Sequence, residues 1–402
     1  MTTPPERPAT FREAFAVGEF RALLLALLLS VVGDQFARVA LAVVVFDRTG
    51  SAGLTALTYG LTYLPDLVGG PLLSGLADRY PRRAVMIASD LGRAALVAVM
   101  AVPGMPLLWL CVLLCAVQLL NAPFAAARAA TLPAVLAGDR FVVGSAVSNT
   151  MVQLAQLVGF AAGGALVASL GSGRALLIDA ATFAVSAAII RYGVLARPAV
   201  GDRAATSWWS SVSGGARLVG GDPRLRSLVA LACVAGFYIT VEGLAVPYAA
   251  ELGGGAVAAG LLLAAGPAGT VLGMLVLGRF VPPPTRLRWL GPMAVAACAP
   301  LVLCALRPGL AVTAVLWAAS GFASAYHLAA SAAFVRAVPD AGRGQAFGLA
   351  VTALRVCQGG GIVLAGLAAE RALPSTVVAW CGALGVLAAL AAARAWRRSG
   401  AG

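Results

Sequence analysis

The sequence has no lysine, a single histidine, and acidic and basic residues that make up only 11% of its 402 positions. A soluble domain carries roughly 25% charged residues, so the scarcity of charge excludes an ordinary soluble fold. His327 stands alone, and the seven cysteines (Cys111, Cys115, Cys233, Cys298, Cys304, Cys357 and Cys381) are scattered through hydrophobic runs without metal-ligand spacing or a secreted disulfide framework. They read as reduced packing residues, and no metal or cofactor is expected. With no nucleophile-and-base constellation and no sizeable polar region to house one, a membrane-embedded transferase is disfavoured and no catalytic residue is expected. The net charge of +13 comes from 29 arginines spread over short loops, which does not make a nucleic-acid surface. Richness in Ala, Gly and Arg without Lys points to a high-GC bacterial genome.

What fills the chain instead is hydrophobic: 60% of the residues, with a mean hydropathy of +0.91. Apolar runs of about 20 residues recur, each long enough to cross a hydrocarbon core of about 30 Å. The short alternating segments of a membrane β-barrel are absent. The runs predict an all-α integral membrane protein of twelve helices, at 20–46, 52–77, 84–102, 106–128, 141–169, 173–194, 226–250, 256–280, 287–306, 309–336, 345–370 and 374–396. Glu6, Glu13 and Glu19 precede the first run and no small-residue cleavage site follows it, so no cleaved signal peptide is expected. Placing both termini in the cytoplasm puts 22 arginines inside and 4 outside, with 3 left within spans. That asymmetry orients the protein, with a bacterial cytoplasmic membrane as its expected home.

The longest polar interval, 195–225, divides the chain into six-helix halves at 1–194 and 226–402. Within this linker "SWWSSVSGGARLVGGD" suits an amphipathic helix anchored by Trp208 and Trp209. The halves echo one another weakly, Gly69 matching Gly269 and Arg79 matching Arg279 at an offset of 200. Two such halves suggest a transporter with a midplane site between them. Gly159 and Gly163, and Gly269 and Gly273, clear side-chain bulk at one-turn spacing and are expected to let helices pack closely.

Between the second and third spans stands "SGLADRYPRR", a tight turn whose Asp78 suits a helix cap and whose Arg79, Arg82 and Arg83 suit an anionic leaflet. This segment resembles the loop signature of the major facilitator superfamily, G-x-L-A-D-R-x-G-R-R, with Ser74 and Pro81 departing from its glycines. "FDRTGS", "ASDLGRAAL", "NAPFAAARAATLP" and "LIDAATFAVSA" extend the resemblance to the twelve-span drug:proton antiporter branch that includes macrolide and enterobactin exporters. The resemblance implies that Asp78 latches the halves, with Arg128 as partner. Asp90 and Arg93, at i and i+3, are assigned to the same cytoplasmic charge cluster as Arg79, Arg82 and Arg83.

Ionisable groups at membrane depth are functional candidates by default. Asp34 lies about 20 Å and Asp66 about 18 Å from the cytoplasmic ends of their spans, and Glu242 about 24 Å in. Asp179 is placed near the outer end of the sixth span, as a structural cap. Asp34, Gln35, Arg38, Asp66, Glu242, His327 and Arg355 are candidate cavity residues. Asp34 has Arg38 at i+4 and is expected to pair with it, whereas Asp66 and Glu242 have no cation within a turn of their own helices. Asp66 and Glu242 are therefore the first candidates for proton coupling, ahead of Asp34. The whole suggests a monomeric, proton-coupled exporter of a small, largely apolar organic compound such as an antibiotic. The partners are then the substrate, protons and the bilayer. Siderophore or metabolite export or uptake on the same fold is the alternative.

Overall fold

The computed structural model describes residues 10–63, 65, 76–198, 208–339 and 342–399. Helix is present in each expected span, the second being described as helix only at Ala52–Gly60 and from Leu76. We label these helices α1 (Gly18–Thr49), α2 (Ala52–Gly60), α3 (Arg82–Met100), α4 (Leu107–Val135), α5 (Asp139–Leu170) and α6 (Ser172–Gly193). They continue as α7 (Pro223–Glu251), α8 (Ala256–Phe280) and α9 (Leu290–Leu306). The last three are α10, the paired segments Leu310–Ser324 and Tyr326–Ala337, α11 (Arg343–Ala369) and α12 (Pro374–Arg398). Among the described residues eight helices are long and apolar enough to cross a membrane, namely α1, α4 to α8, α11 and α12. Helix α3 carries Arg82, Arg83, Asp90 and Arg93, and α9 and α10 are shortened by breaks. Leu108, Val142, Leu272 and Leu364 are exposed on the outside of the bundle, where lipid rather than water suits them.

Among the first six helices, α1 packs on α5 and α6, and α3 packs on α4 and α6. Among the last six, α8 packs on α10, and α9 packs on α10 and α12. The two sets meet chiefly along two seams, α5 against α8 and α2 against α11, and α2 also packs on α7. Both seams are tight at the end of the bundle opposite the termini. In the α5–α8 seam a Cβ on Gly164 would come within 2.6 Å of the Ala256 carbonyl oxygen and 2.9 Å of Gly260 Cα, so the backbones touch only because both positions lack side chains. In the α2–α11 seam the Glu370 carboxylate accepts from Ser51 Oγ at 2.6 Å and from Gly53 N at 2.5 Å, capping the start of α2 from across the seam.

The expected glycine pairs occupy other contacts. Gly159 and Gly163 face Gln35 and Phe36 of α1, and Gly269 and Gly273 face the α10 backbone at Ala318 and Phe322. Helix α7 starts at Pro223, capped by Asp222, three residues before the expected span, and breaks around Val234 and Ile239. The linker helix Trp208–Gly221 is present and docks on α11, where a Cβ on Gly214 or Gly215 would strike Gln345. The side chains of Trp208 and Trp209 lie outside the described residues.

Candidate functional site

A cavity of about 380 Å³ lies between the two sets of helices, with walls from α5, α7, α8, α10 and α11 and from Tyr63 just past α2. Two breaks shape it. Helix α7 is interrupted beside Tyr238 and α10 at Ala325 beside His327, and these two rings face each other at 6.2 Å. Such interruptions free backbone groups and re-aim side chains, which is tolerated at membrane depth where they line a cavity. Pro267 in α8 faces the same space. The lining is mostly apolar, with polar groups supplied by Gln153, Gln156, Glu242, Ser320, Ser324, Arg355 and Gln358. His327 Nε2 is buried there without a hydrogen-bond partner.

Glu242 is fixed in the wall by Tyr63, whose hydroxyl donates to Oε2 at 2.9 Å. Arg38 from α1 and Arg355 from α11 are the cations that act on it. Glu242 has no cation within a turn of its own helix, and its cations come from other helices, which spacing along α7 cannot show. Arg38 is half-buried, lies 5.7 Å and 5.8 Å from the ring centres of Tyr59 and Tyr63, and leaves its buried Nε without a hydrogen-bond partner. Arg355 sits 5.4 Å from the Tyr63 ring centre.

The expected Asp34–Arg38 pair does not form. Asp34 instead accepts from Arg93 Nη2 through both oxygens, at 3.1 Å and 3.0 Å. Arg93 also reaches Asp90 at 3.4 Å, stacks 3.9 Å from the Phe183 ring centre, and is 1% exposed. Asp90 takes a second bond of 2.6 Å from Ser186 Oγ, and Ser30 extends the network to α1. Asp90 and Arg93 thus belong to a buried cluster halfway along α3 and not to the loop at its start. Asp179 is also drawn inward. It is 1% exposed, within the electrostatic reach of Asp34 and Arg93, and bonded to Thr182. Gly33 makes this approach possible, since a Cβ there would collide with Thr182 Oγ1 and Asp179 Oδ1.

Of the expected cavity residues, Glu242, His327 and Arg355 line the cavity, and Arg38 reaches its wall through Tyr63 and Glu242. Asp34 and Gln35 do not line it. Asp34 borders a separate void of about 10 Å³ with Arg38, Gln118 and Asp179. Gln35 is buried and donates to the Val31 carbonyl. Asp66 and the side chain of Asp78 lie outside the described residues, so neither the Asp66 site nor the Asp78–Arg128 latch is placed. Arg82 donates to the Ala130 carbonyl of α4 at 2.7 Å and Arg83 to the Arg191 carbonyl of α6, stitching the terminal side of the first six helices. Sequence reasoning passed over Tyr63, Gln153, Gln156, Trp317 and Gln358. The signal available was polar residues one turn apart within apolar spans, Gln153 with Gln156 and Arg355 with Gln358.

A family model of the Major Facilitator Superfamily matches residues 23–318. No protein of curated function matches the sequence. Among solved structures, a bacterial homolog of the human lysosomal transporter Spinster, inward-facing and unoccupied, is 17% identical over 97% of this chain and 96% of its own, with a TM-score of 0.68. The nucleoside transporter NupG is 13% identical over 94% and 99%, with a TM-score of 0.71. A bacterial homologue of the iron transporter ferroportin, also inward-facing, is 15% identical over 95% and 98%, with a TM-score of 0.65. At these identities the likeness is one of fold.

Proposed function

The chain belongs to the Major Facilitator Superfamily and is a multi-pass membrane transporter of small molecules, not an enzyme; from that premise we propose that it exports a small, largely apolar organic compound such as an antibiotic in exchange for protons. The observation that carries this reading is the cavity itself. Its apolar and aromatic walls suit a hydrophobic solute, and its anchored carboxylate, Glu242, offers one strong acceptor to orient it. The opposing arginines Arg38 and Arg355 keep that carboxylate balanced when no solute is present.

Transport proceeds by alternating access. The halves 1–194 and 226–402, joined by 195–225, rock about the cavity, and the seams at Gly164–Gly260 and Ser51–Glu370 are closed when the cavity opens toward the termini. Arginine asymmetry puts the termini in the cytoplasm of a bacterium, so this is the state that loads substrate from inside. Opening toward the other face requires both seams to part and the terminal side to close. There the resemblance assigns the latch to Asp78, working with Arg128. The protein works as a monomer, since the cavity is complete within one chain.

The test is efflux from a drug-sensitive host and from proteoliposomes, over a panel of antibiotics, dyes and siderophores, with and without an uncoupler. The reading predicts protein-dependent efflux of at least one apolar compound that the uncoupler abolishes. Uncoupler-insensitive movement, or none across the panel, overturns it.

A further inference from the structure

We propose that the coupling proton is held outside the substrate cavity, on Asp179 in the buried cluster of Asp34, Asp90, Arg93 and Asp179, and that Arg38 transmits its presence to Glu242. The proposal rests on the proton-coupled reading above and names the site that reading requires.

The groups that face one another here come from four helices. Helix α1 supplies Asp34 and Arg38, α3 supplies Asp90 and Arg93, α4 supplies Gln118, and α6 supplies Asp179, Thr182 and Ser186. Three carboxylates thus share one bonded guanidinium. Arg93 gives Nη2 to Asp34 and Nη1 to Asp90, its Nε is left without a hydrogen-bond partner, and Ser186 completes Asp90. Asp179 receives only the Thr182 hydroxyl, at 3.3 Å on Oδ1, and its Oδ2 is buried with no partner. Arg93 acts on Asp179 only through space, without a bond; a charge at this depth without a bonded cation costs several kcal/mol, and a carboxyl so placed takes up a proton instead. The step itself is a proton transfer: an O–H bond of hydronium breaks as an O–H bond forms at Asp179 Oδ2, leaving water, and the reverse transfer to water regenerates hydronium and the carboxylate.

Access and transmission follow from two further features. Asp34, 22% exposed at its side chain, is the one carboxylate of the cluster that is not sealed, and the void of about 10 Å³ between it, Gln118 and Asp179 is close to the smallest that admits one water. Arg38 borders that same void and is the cation on which both Asp34 and Glu242 act. Loss of the Asp179 proton adds a negative charge on one side of Arg38 and draws it from Glu242, which is then free to accept a bond from substrate. Uptake of the proton reverses this. Proton and substrate therefore exclude each other without sharing a residue, as exchange requires.

The test uses no substrate. Infrared difference spectra of the purified protein in detergent, recorded between acidic and alkaline pH, report the C=O stretch of protonated carboxyl groups. The wild type is expected to show a band that titrates away on raising the pH, that Asp179→Asn removes completely, and that Glu242→Gln leaves in place. No titrating band in the wild type, a band unchanged in Asp179→Asn, or a band lost in Glu242→Gln would each overturn the proposal. Should Asp179→Asn not fold, the wild-type and Glu242→Gln spectra still decide against the cavity as the proton site or for it. Failure of the efflux panel alone would overturn the export reading and leave this site standing.

Discussion

The carboxylate of Glu370 closes the α2–α11 seam from an exposed position, so its removal isolates what that closure contributes. It accepts from Ser51 Oγ at 2.6 Å and from Gly53 N at 2.5 Å, and it sits at the positive end of α2. Hydrogen bonds to a charged group contribute about 1.5–3 kcal/mol when shielded, and a carboxylate at a helix N-terminus about 0.3–1 kcal/mol. Solvent screening at this exposed site and the amide oxygen that remains in Glu370→Gln reduce the expected loss to about 1 kcal/mol. Because about 1.4 kcal/mol is tenfold in an equilibrium constant, the substitution should raise the ratio of seam-open to seam-closed molecules about fivefold. The assay is a pulsed spin-label distance measurement between cysteines placed at Leu170 and Val257, exposed positions at the same end of the bundle on α5 and α8, in a background lacking the native cysteines. The Ser51 hydroxyl, then the Gly53 N–H, hold the Glu370 carboxyl below its ordinary value. The latch contribution is therefore intact above the usual carboxylate range and lost as pH falls through the depressed value. The wild type at low pH should approach the Glu370→Gln distribution at neutral pH. A distance distribution unchanged by Glu370→Gln at neutral pH would refute the latch.

Three other outcomes follow from contacts already described. Gly164→Leu places a side chain where the Ala256 carbonyl and Gly260 Cα leave no room, so the same spin-label pair should report a separated α5–α8 seam, and an unaltered distance would count against that seam. Arg93→Met removes the cation from Asp34 and Asp90 while keeping much of the packing on Phe183; breaking a buried pair from one side costs about 3–5 kcal/mol, to be read as a lower thermal unfolding midpoint in detergent, least depressed at acidic pH where the carboxyls are neutral. Tyr63→Phe deletes the hydroxyl that donates to Glu242 Oε2 at 2.9 Å. With a net loss of about 1.5 kcal/mol for a bond to a charged group, the concentration for half-maximal efflux should change about tenfold with expression intact.

The architecture was legible because lipid imposes a simple rule on sequence. Runs such as 20–46 and 256–280 are predominantly apolar, and each appears as helix within a few residues of where composition put it. Breaks within helices were not legible: neither proline nor glycine stands at Ala325, the interruption in α10, and beside it Tyr326 donates to the Leu231 carbonyl of α7, a tertiary contact that sequence spacing does not show. The site failed for a related reason. Asp34 and Arg38 share a helix face, and i,i+4 spacing favours a pair, yet Arg93 offers Asp34 a bond from a neighbouring helix and Tyr59, Tyr63 and Glu242 draw Arg38 elsewhere. Glu242 looked isolated for the same cause in reverse. "GDQ" at 33–35 and "LIDAATF" at 177–183 each carried half of the Asp34–Asp179 approach, and only the fold joins them through the missing Cβ of Gly33.

The central claim is that outward movement of an apolar compound is paid for by inward movement of protons. Simultaneous recording of internal pH and of a fluorescent panel compound found to be effluxed, in proteoliposomes holding the purified protein, addresses it most directly. The account predicts that adding the compound to one side drives a proton flux in the opposite direction, and that an imposed pH gradient drives the compound uphill. Compound movement that leaves the internal pH unchanged, and that a pH gradient does not accelerate, would contradict it.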